Sequence, residues 1–481
     1  MASAERLPAP LPATAWPASR SLATAAGAAG TAAVLGAVGW LVVAAAERPS
    51  TLSPPSGRGH LPHAPWVLGP LRGLMPGLTS ARGRLHTDLM VVLVVAGGGW
   101  LVAWLAAPAL GTRVLLAATA AAHALLFLGP PLPLTDIFNY GLYARLAAVH
   151  GLNPYRDLPV QAMGDPLYPV ANWHHLASPY GPLFTLGTEA LVPLGAHGWY
   201  WAWKAVVVLS SFATVVLVAA LAGRLGASQA RAVAALGLCP LLLIAEVGGF
   251  HQDTPAVLCL VAAAWCLVRG REPAASPWAD RSAGALAVAA AGIKPSFAIV
   301  VGIVVLGATR RREALAGAAV VAAATLLVVT TVYDGVLPNL RTQGSLVTPL
   351  SVPNLIGLGA GHGGADPAVR DWARWVLVAV AALATALVAV RRERALAALG
   401  AVLFCAVLAL PWVMPWYLVW SLPFIALGRP RLLAPAAVLV TGWLIVGGLP
   451  QLPGLLHHLG YYPTRTATGY ANHVEFRRLV R

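Results

Sequence analysis

The stretch LTDIFNYGLYARLAAVHGLNPY, residues 134–155, places one carboxylate directly after a long apolar segment. Acidic residues are rare in this chain, with 17 Asp and Glu among 481 residues, so the position of Asp136 needs a reason. Asp136 could cap the helix that follows by accepting hydrogen bonds from its free N–H groups. It could also act as a general base, because a carboxylate within reach of a hydroxyl can take its proton.

The residues after Asp136 predict a helix. Apolar side chains recur at helical spacing from Phe138 to Val149, which is typical of a helix lying along a membrane surface. The proline of GLNPY ends this helix, because the residue before a proline avoids the helical region. The loop then continues through YPVANWHHLASPYGPLF, residues 168–184, whose aromatic density argues against disorder. These rings could form an interfacial belt or could stack on sugar rings, whose C–H faces suit aromatic surfaces.

A second polar element is the turn EVGGFHQDTPAV, residues 246–257, which carries His251 and Asp253 between two apolar segments. Ionisable groups at membrane depth are costly, so they are candidates for function. Asp253 could also cap the next helix, ahead of Pro255 in its first turn.

The stretch AGIKPSFAIV, residues 291–300, interrupts an apolar segment with Lys294 and Pro295. Each apolar half has about ten residues, too few to cross a bilayer, so the pattern predicts a broken helix over 283–308. The positive end of the second half-helix and Lys294 would then converge on one anion. The alternative is a continuous span with a snorkelling lysine.

Most of the chain is too apolar for a water-soluble domain. Its mean hydropathy is +0.73, and 10% of its residues are charged, against roughly a quarter in soluble domains. Apolar segments long enough to cross a bilayer recur throughout, which predicts an all-α polytopic membrane protein of about 11 to 13 transmembrane helices. Its parts would be a polar N-terminal tail (1–20), the N-terminal spans (21–129), an outer loop with surface helices (130–198), the remaining bundle (199–449) and a C-terminal tail (450–481). The polar ends 1–20 and 463–481 are expected to be loosely ordered.

The net charge of +15 arises from arginines scattered between the spans. This distribution fits the positive-inside rule, with five basic loops in the cytoplasm, and it argues against nucleic acid as a partner. The positive charge leaves an anionic lipid or lipid phosphate as a candidate partner. The four cysteines lie in apolar segments and indicate neither disulfides nor a metal site.

Six stretches resemble, in order, the polyprenol-phosphate-mannose-dependent α-1,6-mannosyltransferases of the GT-C superfamily. They are TDIFNYGLYARLAAVHGLNPY, NWHHLASPYGPLF, CPLLLIAEVGGFHQD, GIKP, SLVTPLSVPNLIG and PWVMPWYLVW, between residues 130 and 428. The resemblance implies a GT-C-like bundle and a base in the first large outer loop, which maps onto Asp136. We expect Lys294 and Arg145 to bind the donor phosphate. The residues expected to bind sugar or support the base are Tyr140, Tyr155, Trp173, Tyr180, His251, Asp253, Trp416 and Tyr417.

The function implied by this resemblance is transfer of mannose from polyprenyl-phosphate mannose to a lipid-anchored mannan acceptor. The linkage would be α-1,6, formed with inversion on the outer face of a bacterial plasma membrane. We expect no cofactor besides the lipid-linked donor. The sequence does not decide whether the reaction needs a divalent metal ion. Two alternatives remain: a transporter or flippase of lipid-linked sugars, which would also use a broken helix and a buried cation, and an inactive GT-C-like binding protein. The presence of Asp136, the expected base, argues against the inactive binding protein.

Overall fold

A computed structural model describes residues 20–47, 65–77, 82–132, 136–427, 433–449 and 452–480. These residues form helices and loops without a β-strand, which confirms the predicted all-α class. Short 3₁₀ and π segments join the α-helices at several points. The α-helices are α1 Arg20–Ala46, α2 Arg82–Leu110, α3 Thr112–Leu128, α4 Asp136–Ala148, α5 Pro182–Glu189, α6 Gly195–Arg224, α7 Gln229–Gly237, α8 Asp253–Arg269, α9 Pro277–Ile293, α10 Ala298–Gly307, α11 Arg311–Val332, α12 Leu340–Ser345, α13 Val352–Gly359, α14 Pro367–Val390, α15 Ala395–Ala409, α16 Leu422–Ala426, α17 Leu433–Gly447, α18 Leu452–His458 and α19 Ala467–Val480.

Within the described ranges, five helices are long and apolar enough to cross a membrane, or up to seven if each of two bent helix pairs counts as one span. The chain is therefore a multi-pass membrane protein. This count is lower than the predicted 11 to 13 spans. Two shorter apolar helical segments, Thr112–Leu128 and Pro295–Gly307, raise the upper count of the described part of the chain to nine.

The basic loops gather on one face of the bundle, as the positive-inside pattern predicts. Arg224 after α6 pairs with Glu272 after α8. Arg271 donates to the Arg392 carbonyl, 2.7 Å away, at the start of α15. The helix α8 has 17 residues, so this face lies about 25 Å from the turn that carries His251. The fifth basic loop, at 428–431, lies outside the described residues.

The predicted broken helix is confirmed, and its two ends return to the same face. The first arm, α9, ends where Lys294 adopts an extended conformation with φ −130° and ψ 108°. A 3₁₀ turn over Pro295–Phe297 then leads into α10. At the other end, Asp280 in the first turn of α9 accepts backbone N–H groups from Thr309 and Arg310, at 3.0 and 3.2 Å. The segment is thus a hairpin about 20 Å deep with Lys294 at its tip.

The outer loop has a hydrophobic core of its own, which confirms that it is ordered. Aromatic residues of α4, of the stretch 155–184 and of the start of α6 pack together beside the main bundle. The helix predicted after Asp136 is present as α4. It differs from the predicted surface helix, which would expose a polar face. Nine of its 13 residues are buried beneath the rest of the loop.

The end of the chain differs from its prediction as a loosely ordered tail. Residues Ala467–Val480 form α19, in which Leu479 is buried. The Leu479 carbonyl accepts a hydrogen bond from the His175 N–H at 3.0 Å. Phe476 packs on Trp173 and Trp412 with ring centroids 5.5 and 6.1 Å apart. These few apolar contacts order a segment whose composition is mostly polar.

Candidate active site

Asp136 is the first described residue of α4, and its neighbours are side chains from three parts of the chain. The Nδ1 atom of His251 lies 3.3 Å from one Asp136 carboxylate oxygen. The Nδ2 atom of Asn139 lies 3.4 Å from the other, and the side chain of Trp173 is within hydrogen-bonding range. The Asp136 side chain stays 18% exposed, so it can be reached by a substrate.

Burial raises the pKa of Asp136 to about 6. The hydrogen bonds from Trp173 and Asn139 and the positive charge of Lys294 limit this rise, whereas Asp253 adds to it. A carboxylate with this pKa is ionised at neutral pH and is a better proton acceptor than an ordinary aspartate.

His251 is completely buried, and its ring is closely packed. It stacks on Trp416 with a centroid distance of 3.8 Å and an interplanar angle of 8°. A Cβ added at Gly249 would meet the His251 Nε2 atom at 2.3 Å, so only glycine leaves room for the ring. Burial and the nearby Lys294 charge hold the pKa of His251 well below its usual value, which keeps the ring neutral. A proton on Nδ1 would face Asp136, so the neutral ring can orient the carboxylate.

The backbone before His251 is strained and anchored by α6. Phe250 has a positive φ of 53°, a conformation that residues with side chains rarely adopt. The Trp203 indole donates to the Phe250 carbonyl at 3.0 Å, and Phe250 is fully buried. Packing therefore holds this turn in the one conformation that aims His251 at Asp136.

Lys294 forms an ion pair with Asp253, with Nζ 2.6 Å from Oδ1. The Trp420 indole donates to the same carboxylate oxygen. The Lys294 ammonium also lies over the ring of Tyr417, 4.6 Å from its centroid. Asp253 therefore does not cap α8, and Lys294, at 8% exposure, does not snorkel to a surface.

Two further aromatic residues complete the predicted cluster. Tyr140 places its hydroxyl 3.4 Å from His251 Nδ1. Tyr180 packs edge-on against Tyr140 at 4.9 Å. The next residue, Gly181, donates its N–H to the Ile293 carbonyl at 3.1 Å, which joins the outer loop to the tip of the hairpin. The structure thus brings together Asp136, Lys294, Tyr140, Trp173, Tyr180, His251, Asp253, Trp416 and Tyr417.

Two predicted site residues lie elsewhere. Arg145 is nine residues along α4 from Asp136, about 13 Å away along the axis. Its guanidinium pairs at 2.8 Å with Asp165, whose side chain is fully buried, so its charge is used to neutralise that carboxylate. Tyr155 is buried in the loop core, where its hydroxyl donates to Thr185 at 2.7 Å. Neither is placed to contact a donor phosphate or sugar at Asp136.

The sequence prediction missed two residues that shape the site. The Asn139 amide oxygen accepts the N–H groups of Asn172 and Trp173, at 3.0 and 3.2 Å, which fixes the loop beside Asp136. Its position three residues after Asp136, on the same helix face, was the available signal. Glu246, completely buried, accepts a hydrogen bond from Thr254, and its second oxygen has no partner among the described residues.

A mostly apolar cavity of about 450 Å³ lies next to this cluster. Trp416, the residue that stacks on His251, forms part of its wall. Half of its remaining lining comes from α1, α2, α17 and the π-helical segment Leu241–Val247, and most of the rest from the stretches 348–350 and 413–415. Its shape and apolar lining are typical of a site for an apolar ligand or lipid tail.

Comparisons with known proteins agree on one family. Residues 33–337 match the family model described as alpha-(1->6)-mannopyranosyltransferase, N-terminal domain. The chain is also 25% identical over 347 residues to a protein of Mycolicibacterium smegmatis described as a probable alpha-(1->6)-mannopyranosyltransferase. That match covers 62% of this chain and 62% of the relative's length. No solved structure matches the chain.

Proposed function

The chain belongs to the alpha-(1->6)-mannopyranosyltransferase family, and we propose that it transfers mannose from a polyprenyl-phosphate mannose donor to a mannan acceptor. The observation that carries the proposal is the arrangement around Asp136. One carboxylate with a raised pKa is oriented by a neutral His251, and a buried lysine lies in the same cluster.

In the proposed reaction, Asp136 takes the proton of the acceptor 6-hydroxyl as its oxygen attacks the anomeric carbon. The new C–O bond forms as the bond from that carbon to the donor phosphate breaks, and the lipid phosphate leaves with the bonding electrons. A single displacement inverts a β-linked donor to an α-linked product and needs one base. General-base catalysis of this kind contributes about 10²- to 10⁴-fold.

Lys294 is proposed to stabilise the negative charge that develops on the departing phosphate. It sits at the start of the second hairpin arm, whose helix dipole adds partial positive charge. A preorganised cation in a site of low water content often contributes more than the base does. In the free protein Asp253 holds this ammonium in place.

The cavity beside Trp416 is proposed to hold the prenyl tail of the donor. Its lining is largely apolar, and its wall reaches the ring that supports His251. A tail in this cavity would bring the attached phosphate towards Lys294. The outward orientation of the site is part of the same proposal, since it lies on the face opposite to the arginine-rich loops.

The experiment is incubation of the purified protein with polyprenyl-phosphate mannose and an α-1,6-linked mannoside acceptor, followed by linkage analysis. We expect an α-1,6-linked product from the unchanged protein and a loss of about 10²- to 10⁴-fold for Asp136→Asn. Asparagine keeps the shape of the side chain and removes the base, so donor binding should persist. A matched control is Asp366→Asn, at the start of α14, which should retain transfer.

The flippase alternative gives a different result in the same assay. A flippase would move the lipid between leaflets without forming a glycosidic product, and Asp136→Asn would leave that movement intact. Transfer at an unchanged rate in Asp136→Asn would instead remove Asp136 from the role of base.

A further inference from the structure

A second pocket, of about 140 Å³, lies between α19 and the loop before α13. We propose that it is a binding subsite for a mannose residue of the acceptor chain, next to the residue that receives the new sugar. The inference rests on the proposed function, which supplies an oligomannoside as the acceptor.

The lining of this pocket has the chemistry that recognises a sugar. Phe476 offers an apolar ring, while Tyr461, Asn472 and His473 bring a hydroxyl, an amide and an imidazole. Pyranose rings present C–H groups on their faces and hydroxyls at their edges, so a site with one ring and several polar tips matches both surfaces. The first cavity, which is mostly apolar, does not match both surfaces.

The polar groups are held in place before any ligand binds. The Asn472 amide oxygen accepts the Val347 N–H at 2.7 Å, which fixes the amide plane. Its Nδ2 group donates no hydrogen bond to any other described residue and is free for a sugar hydroxyl. Asn354, 3% exposed, donates to the Tyr461 hydroxyl at 3.1 Å and to the Pro349 carbonyl at 2.8 Å.

The position of the pocket fits an acceptor site. Two side-chain contacts link it to the base, because Trp173 is within hydrogen-bonding range of Asp136 and packs on Phe476. Pro349 lines both the pocket and the apolar cavity. Asp136 is therefore linked to the apolar cavity through His251 and Trp416, and to the polar pocket through Trp173 and Phe476.

The test compares acceptors of different length in the purified protein, using octyl α-mannoside and the octyl glycoside of α-1,6-mannotriose with the lipid-linked donor. A subsite predicts that kcat/KM is larger for the trisaccharide. We expect Asn472→Asp to reduce the trisaccharide preference about 5- to 10-fold. The aspartate keeps an acceptor for the Val347 N–H, but it replaces the Nδ2 donor by a second acceptor oxygen and adds a negative charge, so it can no longer donate to a sugar hydroxyl. His473→Ala, at an exposed position, should also reduce the ratio of kcat/KM for the trisaccharide to kcat/KM for the monosaccharide.

The matched control is Tyr470→Ala, on the same helix, whose side chain is 63% exposed and does not line the pocket. It should keep the preference of the unchanged protein. Equal use of both acceptors by the unchanged protein, or an unaltered ratio in both pocket variants, overturns the subsite.

A binding measurement separates this proposal from the proposed function. Titration of the protein with α-1,6-mannotriose should show weaker binding to Asn472→Asp than to Tyr470→Ala, whether or not transfer occurs. If no acceptor is mannosylated but this difference is present, the transferase proposal fails and the sugar site stands. If transfer occurs without the difference, the sugar site fails alone.

Discussion

The Lys294 ammonium lies 2.6 Å from the Asp253 carboxylate, at the point where the hairpin tip meets the first turn of α8. Both side chains are almost fully buried, so neither charge is compensated by bulk water. The ion pair therefore has two consequences that must be separated. It neutralises a buried carboxylate that would be costly to leave unpaired, and it holds a cation where the donor phosphate is proposed to bind.

We predict that Lys294→Met lowers the stability by about 3 to 5 kcal/mol, because it leaves the Asp253 carboxylate buried without a partner. The double variant Lys294→Met with Asp253→Asn removes both charges and should recover most of that stability. It should still not bind the lipid phosphate. Thermal unfolding in detergent and donor binding measured on the same samples check the two effects. Donor affinity equal to that of the unchanged protein in the double variant would leave Lys294 with a purely structural role.

The pH profile should report the ionisation of Asp136. Its pKa is raised to about 6, and only the ionised carboxylate can accept a proton. We expect kcat/KM to be level above this pKa and to fall about tenfold per pH unit below it. The hydrogen bond from Trp173 lowers the Asp136 pKa, so Trp173→Phe should move the midpoint to higher pH. Trp375→Phe, at a 69% exposed position, serves as the control. A profile that does not move in Trp173→Phe would contradict the assignment.

Gly249 should be intolerant of any side chain. A Cβ there would meet His251 Nε2 at 2.3 Å, and the ring is also stacked on Trp416, which restricts its movement. We predict that Gly249→Ala displaces His251 from Asp136 and reduces kcat/KM by about 10- to 100-fold. Gly187→Ala is the matched control, because its Cβ would meet nothing within 4 Å. Activity of Gly249→Ala within about twofold of the control would show that the position of His251 is not critical.

Much of this fold and part of the site could be predicted from local stretches of the sequence. The break at Lys294 was predictable, since Pro295 and two short apolar halves leave few other structures possible. The pairing of Lys294 with Asp253 was not, because it depends on how two distant turns meet. For the same reason the sequence did not reveal the partner of Arg145: the carboxylate that pairs with it, Asp165, lies 20 positions away. The order of α19 depends on contacts with Trp173 and Trp412, which its own polar composition does not reveal.

The hairpin should depend on Asp280, which is fully buried where its two arms return to the basic face. Its carboxylate accepts the N–H groups of Thr309 and Arg310 and pairs with the Arg310 guanidinium at 3.4 Å. We predict that Asp280→Ala lowers the stability by about 2 to 4 kcal/mol, because both N–H groups lose their acceptor. Donor binding should weaken with it, since the loosened arms no longer fix Lys294 at the tip.

The matched control for Asp280→Ala is Asp371→Ala, which removes an exposed pair with Arg374. Exposed pairs contribute about 0 to 1 kcal/mol, so this variant should unfold close to the temperature of the unchanged protein. Unfolding in detergent, with donor binding measured well below the transition, distinguishes a local opening of the hairpin from general instability. If Asp280→Ala is no less stable than Asp371→Ala, then packing of α9 against α10 holds the hairpin closed without the carboxylate, and the position of Lys294 does not depend on Asp280.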